Sequence, residues 1–229
     1  MKNYSFIFAR GGSKGLTRKN IKLLAGKPLI QYSIETALAS PSIDMVFVST
    51  DDKEIADIAI NTGAVVIDRP DELATDTSPE WLSWRHAIEY VTKEYGSFDG
   101  FISLPVTSPL RSVDDVEAAI KQLGRDQADI CISVTPANRS PYFNMVKNNV
   151  DGLVELLIPP SGGIFRRQDA PEVFDITTVV YATSPSFVMD NFGIFSGKVT
   201  CTVVPKDRAV DIDDIYDFKL AEAIIQGLS

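Results

Sequence analysis

The sequence predicts an α/β fold, in which one three-layer domain is built on a mainly parallel central sheet. Segments with strand character alternate with segments of helical periodicity along the chain, which is the order expected for strands joined by helices. The strand segments are short, rich in Val, Ile and Phe, and mostly lack polar alternation, as strands covered on both faces do. With 229 residues, of which 45% are hydrophobic, the chain can build one sizeable core.

The individual elements are predicted from the same patterns. Strands are predicted at residues 4–9, 45–49, 64–67, 100–104, 130–135, 177–182 and 200–204. Helices are predicted between them, at residues 29–39, 53–62, 80–94, 113–123 and 213–226. The helix at 80–94 is preceded by Ser78 and Pro79, which suit a helix start.

Residues 138–175 interrupt this alternation. Pairs that favour turns recur there, among them Ser140-Pro141, Asn148-Asn149 and Asp151-Gly152. Loops this long inside a compact domain are usually functional. We therefore expect one domain over residues 1–229, with residues 138–175 as an excursion that forms hairpins or an arm outside the main sheet.

Residue usage excludes several classes of protein. The only histidine, His86, excludes HExxH metalloproteases, sites of several histidines, and any Ser-His-Asp triad built without it. No apolar run approaches the roughly 18 residues of a membrane span, and the N-terminus lacks a signal-peptide core. Both cysteines, Cys131 and Cys201, lie in apolar strand-like stretches, so we expect buried free thiols in a reducing cytoplasm. We expect no membrane partner.

The charge is distributed unevenly along the chain. Residues 1–34 carry seven basic side chains and no acidic one, although the whole chain has a net charge of −9. An acidic protein is a poor general binder of nucleic acid. A concentrated basic segment on an acidic body instead favours one compact anionic ligand, such as a nucleoside triphosphate. The bland explanation is a run of solvated lysines.

A glycine-rich segment directly after the first strand supports an anionic ligand. It reads Arg10-Gly11-Gly12-Ser13-Lys14 and is followed by Lys19-Asn20. Glycines let backbone N–H groups approach phosphate oxygens, and the cations add side-chain charge. The segment matches neither the G-x-G-x-x-G dinucleotide fingerprint nor the P-loop.

Further motifs follow in a characteristic order. They are Val48-Ser49-Thr50-Asp51, Arg69-Pro70 with Leu73-Ala74-Thr75-Asp76-Thr77, Thr107-Ser108-Pro109-Leu110-Arg111, Arg167-Gln168 and Val210-Asp211-Ile212-Asp213. With the glycine-rich segment, they make the chain resemble the acylneuraminate cytidylyltransferases along essentially its whole length. The resemblance implies a fold like that of the nucleotide-diphospho-sugar transferases. It also implies an enzyme of cell-surface polysaccharide biosynthesis, in which the anomeric hydroxyl of a 2-keto sugar acid attacks the α-phosphorus of CTP, with Mg²⁺ assistance, and pyrophosphate leaves.

The resemblance implies roles on the nucleotide side of the site. Arg10 and Lys19 would act in catalysis. Nucleotide binding would involve Arg10, Gly11, Gly12, Ser13, Lys14, Lys19, Asn20, Arg69, Asp76 and Ser78. For Arg69, a structural ion pair is the competing explanation.

Asp211 and Asp213 are implied to hold Mg²⁺, which prefers oxygen ligands. They could instead be acids at a helix N-terminus, where the helix dipole favours negative charge. Asp211 is also implied in catalysis, and either a carboxylate or a metal-bound hydroxide would accept the proton of the sugar hydroxyl.

The sugar side is implied at Thr107, Ser108, Arg167, Gln168 and Tyr181. Thr107 and Ser108 could instead form a capping box ahead of the helix at 113–123. The arm at 138–175 would form a homodimer with shared sugar sites.

Two positions depart from the sialic acid enzymes. Pro105 stands where they commonly have Gln, and Thr177-Thr178-Val179 replaces their usual Asn-Gly-Ala. Both lie on the sugar side, so CTP is expected while legionaminate, pseudaminate, another nonulosonate and an octulosonate such as KDO remain open. Two different functions also stay open: a glycosyltransferase that uses Asp211-Ile212-Asp213 as its Asp-x-Asp motif, and a module that senses nucleotides without catalysis.

Overall fold

The computed structural model of the chain describes residues 1–12, 15–159, 166 and 170–227. Its strands are β1 (Asn3–Phe8), β2 (Leu23–Leu24), β3 (Lys27–Pro28), β4 (Met45–Thr50), β5 (Val65–Asp68), β6 (Gly100–Ser103), β7 (Ile130–Pro136), β8 (Val146–Asn148), β9 (Val154–Leu156), β10 (Phe174–Thr183) and β11 (Val199–Val203). Its α-helices are α1 (Leu29–Ala39), α2 (Lys53–Thr62), α3 (Glu80–Tyr95), α4 (Val113–Asp126), α5 (Pro185–Asp190) and α6 (Ile215–Ile225).

A seven-stranded sheet organises the fold, in the order β11-β7-β10-β6-β1-β4-β5. Strand β10 runs antiparallel to β6 and β7, and the other pairs are parallel. The predicted α/β fold with a mainly parallel sheet is therefore confirmed. Because β1, β4, β5 and β6 are parallel, the loops after them meet at one edge of the sheet, where open α/β sheets bind ligands.

Helices cover both faces of this sheet. Helices α1, α2, α4 and α6 pack on one face, and α3 and α5 pack on the other. Alternate side chains of β1 enter the two layers: Ile7 joins the aliphatic layer, and Phe6 joins an aromatic layer in which its ring centroid lies 4.5 Å from that of Phe101. Among the described residues, no helix is long and apolar enough to cross a membrane.

Two short elements were not predicted, and one helix start was wrong. The β2–β3 hairpin and α5 are too short to produce a periodic pattern. Helix α6 starts at Ile215 rather than at residue 213, because the Asp214 carboxylate caps it and accepts hydrogen bonds from the N–H groups of Tyr216 and Asp217.

The expectation of two buried free thiols was right for Cys131 and wrong for the burial of Cys201. Cys131 is buried in β7, and burial raises its pKa to about 12. Cys201 is exposed, because β11 is the edge strand of the sheet and has no neighbour on its outer side in the described chain.

The excursion leaves the main sheet as an antiparallel hairpin of β8 and β9. The hairpin exposes several apolar side chains to solvent, with exposed fractions of 59% for Val146, 66% for Leu153 and 66% for Val154. Of residues 160–169, the structure describes Arg166 alone.

Candidate active site

The loops at the carboxyl edge of the sheet enclose a cleft of about 440 Å³. Its lining residues come from the segments after β1 and β5, from the start of α3 and from the approach to α6. They are Phe8, Arg10, Gly15, Lys19, Asn20, Arg69, Leu73, Thr75, Asp76, Ser78, Glu80, Ser83 and Asp213. The fold thus brings together most of the side chains that were predicted for nucleotide binding.

Arg10 extends into the cleft from the end of β1. Its Nη2 lies 2.7 Å from Asp76 Oδ1, with about a third of each side chain exposed. Asn20 is buried beneath it, and its Nδ2 donates a hydrogen bond of 2.9 Å to the Arg10 carbonyl oxygen. Asn20 therefore holds the backbone of Arg10 in place.

The glycine turn packs against the loop after β4. The Gly11 N–H donates to Asp51 Oδ1 at 3.0 Å. A Cβ at Gly11 would lie 2.7 Å from Asp52 Oδ2, whereas the space around Gly12 is open. Asp51 thus occupies one of the amides that were predicted to bind phosphate. The predicted residues Ser13 and Lys14 lie outside the described residues.

Lys19 joins the glycine loop to the segment before α6. Its Nζ donates to the Ile212 carbonyl oxygen at 2.6 Å and lies 3.6 Å from Asp213 Oδ1. The Lys19 side chain is 13% exposed and that of Asp213 is 82% exposed. A Cβ at Gly15 would lie 2.4 Å from the Asp213 carbonyl oxygen, so only glycine fits against this segment.

Arg69 also lines the cleft. Its Nε donates to Ser49 Oγ at 3.1 Å and its Nη2 to the Ser49 carbonyl oxygen at 2.7 Å. The guanidinium lies 5.6 Å from the centroid of the Phe8 ring. Burial lowers the pKa of Arg69 to about 10, although Asp51 and Glu80 oppose that shift. Arg69 remains a cation at neutral pH.

Several residues that line the cleft were not predicted. They are Phe8, Leu73, Thr75, Glu80 and Ser83. Glu80, the first residue of α3, is open to the cleft, but the protein that surrounds its carboxyl on the other sides raises its pKa above the ordinary value. The predicted Ser78 is also here, and its buried Oγ has no hydrogen-bond partner among the described residues.

Asp211 lies beside the cleft on an extended segment. The Ile212 N–H donates to the Thr107 carbonyl oxygen at 2.8 Å, which fixes this segment next to the loop after β6. Asp211 Oδ1 is buried and has no hydrogen-bond partner in the part of the chain that the structure describes. A carboxylate oxygen without a donor is costly unless another ligand satisfies it.

In the region predicted to bind the sugar, hydrogen bonds among hydroxyl groups and from one buried arginine join the neighbouring segments. Thr107 Oγ1 and Ser108 Oγ lie 3.1 Å and 2.7 Å from Thr178 Oγ1, and Ser108 is fully buried. Helix α4 is capped by Ser112 and Asp115, so a capping role of Thr107 and Ser108 is excluded.

Arg111 ties the two walls of this region together. It donates to the carbonyl oxygens of Pro105 and Val179 and to Ser33 Oγ. Burial lowers the pKa of Arg111 to about 9, an effect opposed by Asp115 and Asp211.

Tyr181 lies deeper in the fold than expected for a sugar contact. It is 8% exposed, and burial raises its pKa to about 12, with contributions from Glu80 and Asp211. The predicted residues Arg167 and Gln168 lie outside the described residues.

The chain is similar in sequence to known proteins over nearly all of its length. The profile of the cytidylyltransferase family matches residues 5–150. Post-translational flagellin modification protein B of Campylobacter coli is 34% identical over 223 residues, which are 96% of this chain and 93% of that protein. A pseudaminic acid cytidylyltransferase of Campylobacter jejuni is 33% identical and covers 98% of this chain and 96% of its own.

A solved structure shows the same fold at lower sequence identity. It is that of a CMP:2-keto-3-deoxy-manno-octonic acid synthetase complexed with CTP, with a TM-score of 0.73 and 18% identity over 100% of both chains. At that identity, the match concerns the fold alone.

Proposed function

The chain belongs to the cytidylyltransferase family, and from this premise we propose that it transfers a cytidylyl group from CTP to a 2-keto sugar acid. The anomeric hydroxyl of the acid attacks the α-phosphorus, the bond to the β-phosphate oxygen breaks, and CMP-sugar and pyrophosphate form. The single observation that carries this proposal is the cleft, which the cations Arg10, Lys19 and Arg69 line together.

Arg10 and Lys19 would bind the β- and γ-phosphates and stabilise the departing pyrophosphate. Phosphoryl transfer depends mainly on position and on neutralisation of charge. Both cations now contact acids, Asp76 at 2.7 Å and Asp213 at 3.6 Å. We propose that the phosphates replace these carboxylates, so that the cations are already oriented before CTP arrives.

Asp211 and Asp213 would hold Mg²⁺. The unpartnered Oδ1 of Asp211 fits this role, since Mg²⁺ binds oxygen ligands and takes the rest from water and phosphate. No group of three or more His, Cys, Asp and Glu side chains is assembled for a metal within the described ranges, so the ion would depend on CTP. Its chemistry would be to neutralise charge on the phosphates.

The sugar acid is proposed to be a nonulosonate. The support is the identity of 33% with a pseudaminic acid cytidylyltransferase over nearly the whole chain, whereas the octulosonate enzyme shares only the fold. Thr107 would contact the sugar, and Thr178 is its hydrogen-bond partner. Ser108 would support that wall from below, because it is fully buried.

We further propose that the enzyme is a cytoplasmic homodimer. The apolar hairpin β8–β9 supports a second copy as the partner, since Val146, Leu153 and Val154 stay more than half exposed in the described chain.

For the wild-type protein, light scattering during gel filtration should give the mass of a dimer. Leu153→Asp together with Val154→Asp should give a monomer, whereas Leu220→Asp on α6 should leave the dimer intact. A wild-type monomer would contradict the proposal.

The experiment that tests the activity is pyrophosphate release. The purified protein is incubated with Mg²⁺, with CTP, ATP, GTP or UTP, and with a panel of nonulosonic and octulosonic acids that includes KDO. Release with CTP and one nonulosonate is expected, and chelation of Mg²⁺ with EDTA should abolish it. Transfer of the sugar from a CMP-sugar to an acceptor would overturn the proposal in favour of a glycosyltransferase. No interaction with CTP would overturn it in favour of another function.

A further inference from the structure

Glu80 places a carboxylate in the lining of the cleft. It is the first residue of α3, after Pro79, and it lines the cleft together with Arg69 and Ser83. Its charge acts on Arg69, and that of Arg69 acts on it. An anionic acceptor and a cationic donor thus face the same small space.

The hydrogen bonds of Arg69 leave part of this guanidinium for a ligand. Nε and Nη2 are engaged by Ser49, and among the described residues Nη1 makes no hydrogen bond. Arg69 is 6% exposed, so the surrounding protein and the two hydrogen bonds to Ser49 hold its guanidinium in one orientation. The donor is therefore fixed before a ligand binds.

Glu80 is accessible from the cleft and is only partly satisfied by the protein around it. Desolvation raises the pKa of its carboxyl, and the Trp84 side chain and the charge of Arg69 oppose that rise without cancelling it. Trp84 lies one helical turn further along α3, and its buried Nε1 has no hydrogen-bond partner in the described chain. The carboxylate can therefore accept a hydrogen bond from a ligand that enters the cleft.

The edge of cytosine matches this arrangement, and that of uracil does not. Cytosine offers an amino donor at C4 beside acceptors at N3 and O2. Uracil offers a carbonyl acceptor at C4 and an N–H donor at N3. A carboxylate therefore attracts the amino group of cytosine and repels the C4 oxygen of uracil.

We propose that Glu80 is a specificity-determining residue, which accepts a hydrogen bond from the exocyclic amino group of cytosine while Arg69 donates to the acceptor side of the same base. This inference rests on the proposed use of CTP. Beyond that use, we expect selection of CTP over UTP to depend on one carboxylate, at the start of α3. Loss of a hydrogen bond to a charged group corresponds to a change of about 10- to 100-fold in affinity.

The test is a set of calorimetric titrations in Mg²⁺ buffer without sugar acid. Wild type, Glu80→Gln and Glu89→Gln are each titrated with CTP, UTP and N4,N4-dimethyl-CTP, which has no amino hydrogens. Glu89 lies on the exposed side of α3, so its variant is a matched control. Glutamine can accept from cytosine and also donate to the C4 oxygen of uracil.

Glu80→Gln should lower the ratio of CTP affinity to UTP affinity by at least about 10-fold. Wild type should bind the dimethyl analogue more weakly than CTP, and this difference should be smaller for Glu80→Gln, because a neutral acceptor contributes less than a charged one. Glu89→Gln should match wild type. A wild-type preference for CTP that Glu80→Gln leaves unchanged would overturn the role of Glu80 and leave the proposed function intact. No binding of CTP by wild type would instead overturn the proposed function, and this inference with it.

Discussion

At the scale of single residues, Asp211 has an environment that ordinary folding does not explain. Its Oδ1 is buried without a hydrogen-bond donor in the described chain. The charge of Asp211 nevertheless acts on the buried Arg111 and opposes the burial that lowers the pKa of that guanidinium. An unsatisfied polar group of this kind is usual where a ligand completes the environment. Arg10 and Asp211 are therefore the residues whose removal should affect chemistry most.

Arg10→Ala and Asp211→Ala should each lower turnover by on the order of 10²-fold or more, because each removes a contact to charge that develops during transfer. The measurement is the steady-state rate of pyrophosphate release at saturating CTP. Arg125→Ala, at a side chain that is 73% exposed on α4, should retain the wild-type rate. Turnover close to wild type in either site variant would remove that residue from the mechanism.

Gly15→Ala should impair CTP binding, because the new Cβ would lie 2.4 Å from the backbone oxygen of Asp213. Relieving this clash would move the segment whose Ile212 carbonyl oxygen holds Lys19. Calorimetry with CTP measures the effect, which we expect to be a loss of on the order of 10-fold. Gly124→Ala is the matched control, since the space around Gly124 in α4 is open. There, alanine should stabilise the helix by about 0.5–1 kcal/mol and leave affinity unchanged. Equal affinities for all three proteins would contradict the role of this contact.

At the scale of elements, helix α4 anchors the segment that leads to Asp211. Asp115, in the first turn of α4, accepts hydrogen bonds of 2.9 Å and 3.0 Å from Arg208 and also completes the capping box with Ser112. Burial raises the pKa of Asp115, but the bonds from Arg208 and Ser112 outweigh burial and hold it below the ordinary value of 3.8. One carboxylate thus stabilises both a helix start and a loop of the site.

Asp115→Asn should lower the free energy of unfolding by about 1–2 kcal/mol at pH 7. Since the folded pKa lies below the unfolded one, the contribution of Asp115 is complete above about pH 4 and fades as the pH falls through the folded value. Urea unfolding at pH 7 and pH 3 should therefore show a smaller difference between variant and wild type at the lower pH. Asp114→Asn, at the exposed neighbour, should cost only a few tenths of a kcal/mol. A difference that is constant with pH would mean that the ionised pair does not contribute.

Local patterns predicted the elements well and the cleft in part. The strands and longer helices carry their own periodicity. Arg10 and Lys19 were predicted from the glycine-rich segment and its charge, and Arg69 from the family resemblance. Glu80 and Phe8 were missed, because one looks like an ordinary first-turn acid and the other like a core strand residue. Their place in the cleft depends on the packing of α3 against the sheet, which no short window of sequence contains. The same holds for Cys201, whose exposure follows from the edge position of β11.

At the scale of the whole molecule, ligand binding should stabilise a chain whose cleft joins segments far apart in sequence. CTP with Mg²⁺ at about 100 times its Kd would add about 2.7 kcal/mol to the folded state, which corresponds to a rise in Tm of about 5–10 °C for a protein of this size. Thermal unfolding followed by dye fluorescence measures it. UTP and ATP at the same concentration should give smaller shifts, and a shift of equal size with ATP would contradict selection for cytosine.

The contact between Gly15 and Asp213 also bears on how the protein is made in the cell. The glycine loop leaves the ribosome early, whereas the segment that closes against it emerges much later. A nascent or truncated chain that ends before this segment therefore lacks the Asp213 backbone against which Gly15 packs and the Ile212 carbonyl oxygen that holds Lys19. We therefore expect such a chain to bind CTP more weakly than one that extends past Asp213.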